Sequence, residues 1–129
     1  MNGKPYTKRG FARIISAFLY SINGLCFAFK NEASFRQEIF FFAVLSVILF
    51  LLPLSIAFKC LLFVAHTIVL IVELINSSIE SIVDMTSPEY HVLAKHAKDL
   101  GSAAVLISLI LAIVLWASAI YFIFHGGNT

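Results

Sequence analysis

The sequence predicts an all-α integral membrane protein: one amphipathic surface helix and three transmembrane helices in a single domain. Composition carries the class. Of 129 residues, 60% are hydrophobic and only 12% charged, where soluble domains hold about 25% charged residues. The mean hydropathy of +0.96 is more apolar surface than a domain of this length can bury. The second observation is two uncharged apolar runs, residues 39–58 and 101–124, each near the ~20 residues that cross a bilayer core as a helix. The third is a helical apolar stripe ahead of the first run.

That stripe defines the first element, expected over about residues 6–30. In "RGFARIISAFLYSINGLCFAFKNEASF", apolar residues fall at 11, 14, 15, 18, 22, 25, 26 and 29, the i, i+3, i+4, i+7 spacing of an amphipathic helix. Arg13, Ser16, Tyr20, Ser21 and Asn23 fill the rest, and Lys4, Lys8 and Arg9 come before it. A basic amphipathic helix next to a first span lies in the headgroup plane. The alternative is a helix packed on another subunit. The N-terminus has no apolar h-region with a small-residue cleavage site, so no removable signal peptide is expected.

The first span is expected over about residues 35–55, in "IFFFAVLSVILFLLPLSIAF", with Pro53 kinking or ending it. The second, about 58–84, has only Cys60 to Val72 before Glu73 interrupts. It qualifies if its acids face protein or water. In the following "MTSPEYHVLAKHAKDLG", Ser87 and Pro88 form a helix-start signature, so a short polar helix should lead into the third span, about 99–124. Cys26 and Cys60 have no metal-ligand spacing and are expected as buried small hydrophobes.

Charge sets the topology. Lys4, Lys8, Arg9, Arg13, Lys30 and Arg36 precede the first span, and Lys95 and Lys98 lie between the second and third. The turn between the first two spans holds only Lys59, and the tail "HGGNT" has no Lys or Arg. Positive-inside counting puts the N-terminus and the 84–100 loop in the cytoplasm, with the C-terminus outside. The net charge of +2 is too small to point to nucleic acid as a partner.

Within "VELINSSIESIVD", Glu73, Asn76, Ser77, Glu80 and Asp84 fall on one helical face at about 100° per residue. Charge in hydrocarbon costs at least ~2.5 kcal/mol per group on insertion scales, so it persists where it is used. A polar seam between helices would explain Asn76 and Ser77. It explains several acids poorly, since no Lys or Arg on the segment pairs with them. A bound cation is the usual remedy, and Mg2+ suits carboxylates combined with substrate phosphates. A further acid could serve as general base. Arg13, Lys95, Lys98 and the helix start at Ser87 could meet phosphates on the same side. A second cluster, "NEASFRQE", adds Asn31, Glu32 and Glu38, with Ser34 and Gln37 as a capping box. Neither GxxxxGK[ST] nor GxGxxG occurs. From the residues alone, a kinase stands beside a cation or proton pathway. Polar residues above Glu73 thin out to His66, Thr67, Ser108 and Ser118, which weakens the pathway.

The string "VELINSSIESIVD…SPEYHVLAKHAKDLGSAAVL", with "NEASFRQE" and "FARII", resembles the bacterial diacylglycerol kinase family, small integral-membrane enzymes, over about residues 10–120. The resemblance implies a homotrimer in the bacterial inner (cytoplasmic) membrane, with active sites shared between subunits. It implies ATP and Mg2+, with diacylglycerol as acceptor. By matching position, Glu73 resembles the catalytic base, and Glu32 and Glu80 the metal ligands. Arg13, Tyr20, Glu32, Glu80, Glu89, Tyr90, His91, Lys98 and Asp99 match ATP-binding positions. Arg13, Ala17, Tyr20, Ser21, Ser34, Glu38, Glu73, Ser102 and Trp116 match lipid-contacting positions. Asn76 and Asp84 match supporting polar positions. Trp116 can equally be read as an interfacial anchor. Two features depart from the pattern. "DMTSPEYH" has the form of Gram-positive relatives that prefer undecaprenol, and His96 stands where the family has Arg. "NEASFRQE" and "GSAAVL" favour the diacylglycerol branch, with undecaprenol as the alternative acceptor.

Overall fold

The computed structural model describes residues 10–126 of the chain. They form four helices: α1 (Phe11–Asn31), α2 (Ala33–Leu51), α3 (Ile56–Thr86) and α4 (Val92–His125). No strand occurs among the described residues. Lys4, Lys8 and Arg9 lie outside the described residues, as does the end of the tail. All four helices are long and apolar enough to cross a membrane, including α1, which the sequence assigns to the surface. The stripe residues Phe11, Ile14, Ile15, Phe18, Ile22, Leu25 and Phe29 are all exposed on the protomer, and the buried residue of α1 is Ala28.

α1 and α2 are separated by one residue. Glu32 is extended (φ −101°, ψ 112°), and Arg36 Nη1 donates to the carbonyls of Phe29 (3.2 Å) and Lys30 (3.1 Å). That guanidinium occupies carbonyls which the end of a helix leaves without intrahelical partners. The Ser34–Gln37 capping box does not form. Glu32 is the N-cap of α2 and no side chain caps the helix, because the helix starts two residues earlier than a Ser34 cap requires.

α2 stops at Leu51, two residues before Pro53. Leu52 is extended (φ −71°, ψ 144°), as the residue before a proline prefers. Across the turn, Ser55 Oγ caps α3 by accepting from Phe58 N (3.3 Å), and Lys59 Nζ donates to Phe50 O (3.0 Å). At the other end, Ser87 does not start a helix. It is the C-cap of α3, and its hydroxyl donates to Glu89 O (3.2 Å). His91 takes the N-cap of α4, its Nδ1 accepting from Leu93 N at 3.2 Å. The expected short polar helix is therefore the first turns of α4 itself.

α3 and α4 form the tightest pair, through Leu62, Ala65, Val69, Ala112 and Ala119, with Leu49 of α2 joining them. Alanines at such a seam let backbones approach, the usual device where lipid gives helices no hydrophobic drive to associate. Gly101 extends the seam: a Cβ there would collide with Asn76 Oδ1. Cys26 and Cys60 are exposed, contrary to expectation. On helices that face hydrocarbon, apolar side chains gain nothing by turning inward.

Candidate active site

The acids of α3 converge where α2 begins. Glu73 is 4% exposed and Asn76 8%, so both are interior residues of a helix that is otherwise largely apolar. The Ser34 hydroxyl, on the first turn of α2, lies against the Glu73 carboxylate. Glu73 also lies within the fields of Glu80 and Glu32, and Glu38 within that of Glu73. Four carboxylates from α2, α3 and the α1–α2 junction thus share one electrostatic neighbourhood.

Asn76 is fixed from two sides. Its Nδ2 donates to Glu80 Oε1 (3.2 Å), orienting that carboxylate. Its Oδ1 is buried against Gly101 and has no hydrogen-bond partner. An unsatisfied buried acceptor costs about 1–3 kcal/mol, so this geometry is kept at the expense of stability.

Cations stand beside the cluster without neutralising it. Lys98 Nζ pairs with Asp84 at 2.9 Å and Lys95 with Asp99 at 2.6 Å, while Arg36 is held by backbone carbonyls. Among the described residues, no ion pair reaches Glu32, Glu73 or Glu80. Nor do three His, Cys, Asp or Glu side chains converge as a self-sufficient metal cage. Two carboxylates without counter-ions, open to further oxygen ligands, fit Mg2+, which takes one or two carboxylates plus substrate phosphates. Glu32 and Glu80 would hold it.

Two recesses flank the acids on the same side. Asp84, Glu89, Tyr90, His91, Lys98 and Asp99 line a hollow of about 500 Å³ at the α3–α4 loop, grouping most of the expected nucleotide positions. Ser21, Glu32 and Ser77 line a groove of about 450 Å³ between α1 and α3. Arg13, Ala17, Tyr20 and Ser102 are exposed, and no hydrogen bond or ion pair among the described residues ties Arg13 or Tyr20 to the acids.

Deeper in the bundle, Trp116 Nε1 donates to His66 Nε2 at 2.6 Å, with the two rings 20° from parallel. Trp116 is therefore held inside the bundle by a partner on α3. His66 received no role from the sequence beyond being polar. A lone histidine in an apolar span was the available signal.

The model of the prokaryotic diacylglycerol kinase family matches residues 19–120. The chain belongs to the prokaryotic diacylglycerol kinase family. It is similar to the diacylglycerol kinase of Escherichia coli, 47% identical over 107 residues, covering 83% of this chain and 88% of that one. The diacylglycerol kinase of Pseudomonas aeruginosa is 42% identical over 119 residues, covering 92% and 97%. That of Helicobacter pylori is 41% identical over 112 residues, covering 87% and 88%.

Proposed function

We propose that this lipid kinase uses ATP and Mg2+ to phosphorylate the primary hydroxyl of diacylglycerol, giving phosphatidic acid for phospholipid recycling. The observation that carries the reading is Glu73: a buried carboxylate in contact with Ser34 and within the fields of Glu32 and Glu80. The hydroxyl oxygen attacks the γ-phosphorus as its proton passes to the Glu73 carboxylate. The bond from that phosphorus to the β–γ bridging oxygen breaks, and ADP leaves. Glu32 and Glu80 would hold Mg2+, which offsets phosphate charge when bound. Phosphoryl transfer needs positioning and electrostatic stabilisation more than covalent chemistry from the protein.

In this reading Lys98, Asp99 and the Glu89–Tyr90–His91 stretch receive the nucleotide, together with Arg13 and Tyr20. Ser34 and Glu38 border the hydroxyl end of the lipid, while Ala17, Ser21, Ser102 and Trp116 contact its body. Arg13, Ala17 and Tyr20 lie on α1, and the active sites are shared between the subunits of a homotrimer. α1 lies on the inner face of the bacterial cytoplasmic membrane, leaving three spans, a cytoplasmic N-terminus and a periplasmic C-terminus.

Labelled phosphate transfer from ATP in mixed micelles, with diacylglycerol and undecaprenol offered separately, tests this. Labelling of diacylglycerol that vanishes in Glu73→Gln is expected. The "SPEYH" loop makes undecaprenol the second reading, and preferential labelling of undecaprenol would establish it. No labelling of either lipid by folded protein would refute the kinase mechanism.

A further inference from the structure

A third recess, of about 480 Å³, runs between α2 and α4, within the size range of small-molecule sites. Glu38 lines it, and Glu38 senses the charge of Glu73. Away from that carboxylate its walls are Phe41, Phe42, Leu45, Leu109, Ile113 and Trp116. A slot that begins at the acid cluster and is apolar beyond it except for His66 has the polarity profile of an amphiphile with one reactive hydroxyl.

Trp116 is half-exposed to this slot, and its orientation is set from behind. His66 is 5% exposed and takes the indole N–H on Nε2. The neutral imidazole therefore carries its own proton on Nδ1, and that nitrogen is buried with no partner. Phe42 of α2 packs edge-on against the ring, with centroids 6.2 Å apart. A residue that only filled space here would be apolar, because a buried donor without an acceptor is costly. Nor is the pair needed to join α3 to α4, which Leu62, Ala65, Val69, Ala112 and Ala119 already do. What the imidazole supplies is an acceptor that removes the indole N–H from the slot and fixes the ring as an apolar wall.

We propose that His66 is a positioning residue for the acceptor lipid: by holding Trp116, it shapes the α2–α4 slot to receive one acyl chain of the lipid whose hydroxyl meets Glu73. The inference rests on the lipid-kinase reading for the identity of that chain.

Trp116 is the only tryptophan, so its fluorescence reports on the slot directly, without turnover. The test titrates diacylglycerol brominated on its acyl chains into protein in phosphatidylcholine micelles, for wild type, His66→Phe and His66→Gln. Wild type should show saturable quenching beyond that from equally brominated phosphatidylcholine. His66→Phe keeps the ring and loses the acceptor. Its half-saturating diacylglycerol and lipid KM should rise about tenfold, the scale of one lost buried hydrogen bond, with the ATP KM unmoved. His66→Gln restores a side-chain acceptor and should recover most of the loss. Quenching no greater than with brominated phosphatidylcholine would overturn the proposal. So would a lipid KM unchanged in His66→Phe, or lipid and ATP KM rising together, the mark of a merely structural defect. Saturable quenching without any phosphoryl transfer would leave the slot assigned and refute the kinase mechanism alone.

Discussion

The side-chain oxygen of Asn76 occupies the space into which a methyl group on Gly101 would project. α3 and α4 therefore meet at a point where only glycine fits, one helical turn from the carboxylate that Asn76 orients. Gly101→Ala should cost about 1–3 kcal/mol, as overpacking a filled interior does, and should lower kinase activity by releasing Glu80. Gly24 is the control, since nothing lies within 4 Å of a Cβ there. Gly24→Ala should instead stabilise by about 0.5–1 kcal/mol, as Ala over Gly inside a helix does. Thermal unfolding in detergent distinguishes the two, and equal shifts would contradict the packing described.

Glu73→Gln keeps the shape of the side chain and removes the base. The transfer rate should fall about 10²- to 10⁴-fold, the usual contribution of a general base, while helical circular dichroism and the melting temperature hold steady or rise. A variant retaining more than a tenth of wild-type turnover would remove Glu73 from that role.

Chelation should abolish transfer, and added Mg2+ should restore it. In Glu80→Gln or Glu32→Gln, half-maximal activity should need at least several-fold more Mg2+, because each removes one of the two carboxylates proposed to hold the ion. Titration of activity against Mg2+ reads this out. Metal dependence identical to wild type in both variants would place the ion elsewhere.

The Lys98–Asp84 pair is solvated, with the two side chains 41% and 67% exposed. Asp84→Asn should therefore change stability by less than about 1 kcal/mol. Lys98→Met should raise the KM for ATP, more strongly at low ionic strength, where charge acts over a longer range, and leave the KM for lipid unchanged. Steady-state kinetics at two salt concentrations check the point.

Much of this arrangement was legible in the sequence because it is local and periodic. The shared face of Glu73, Asn76 and Glu80 follows from helical spacing, and the end of α2 from Pro53. Polar competition hid the start of α4: the Ser87 hydroxyl donates to Glu89 O, and His91 supplies the cap instead. The cysteines misled because lipid reverses the meaning of exposure. The Ser34–Glu73 contact and the Trp116–His66 bond join residues far apart in the chain, the latter 50 positions apart. No pattern along one helix registers a meeting between two. The apolar stripe of α1 was legible as a pattern, and its residues are exposed on the protomer.

Glu32 gives the junction of α1 and α2 a mechanical meaning. It is the lone non-helical residue between two helices of 21 and 19 residues. Any change in the tilt of α1 must be taken up largely by the backbone torsions of this one residue. Its carboxylate sits at the vertex of that lever and faces Glu73. A tilt of α1 relative to α2 would therefore shift the Glu32 carboxylate relative to the other acids.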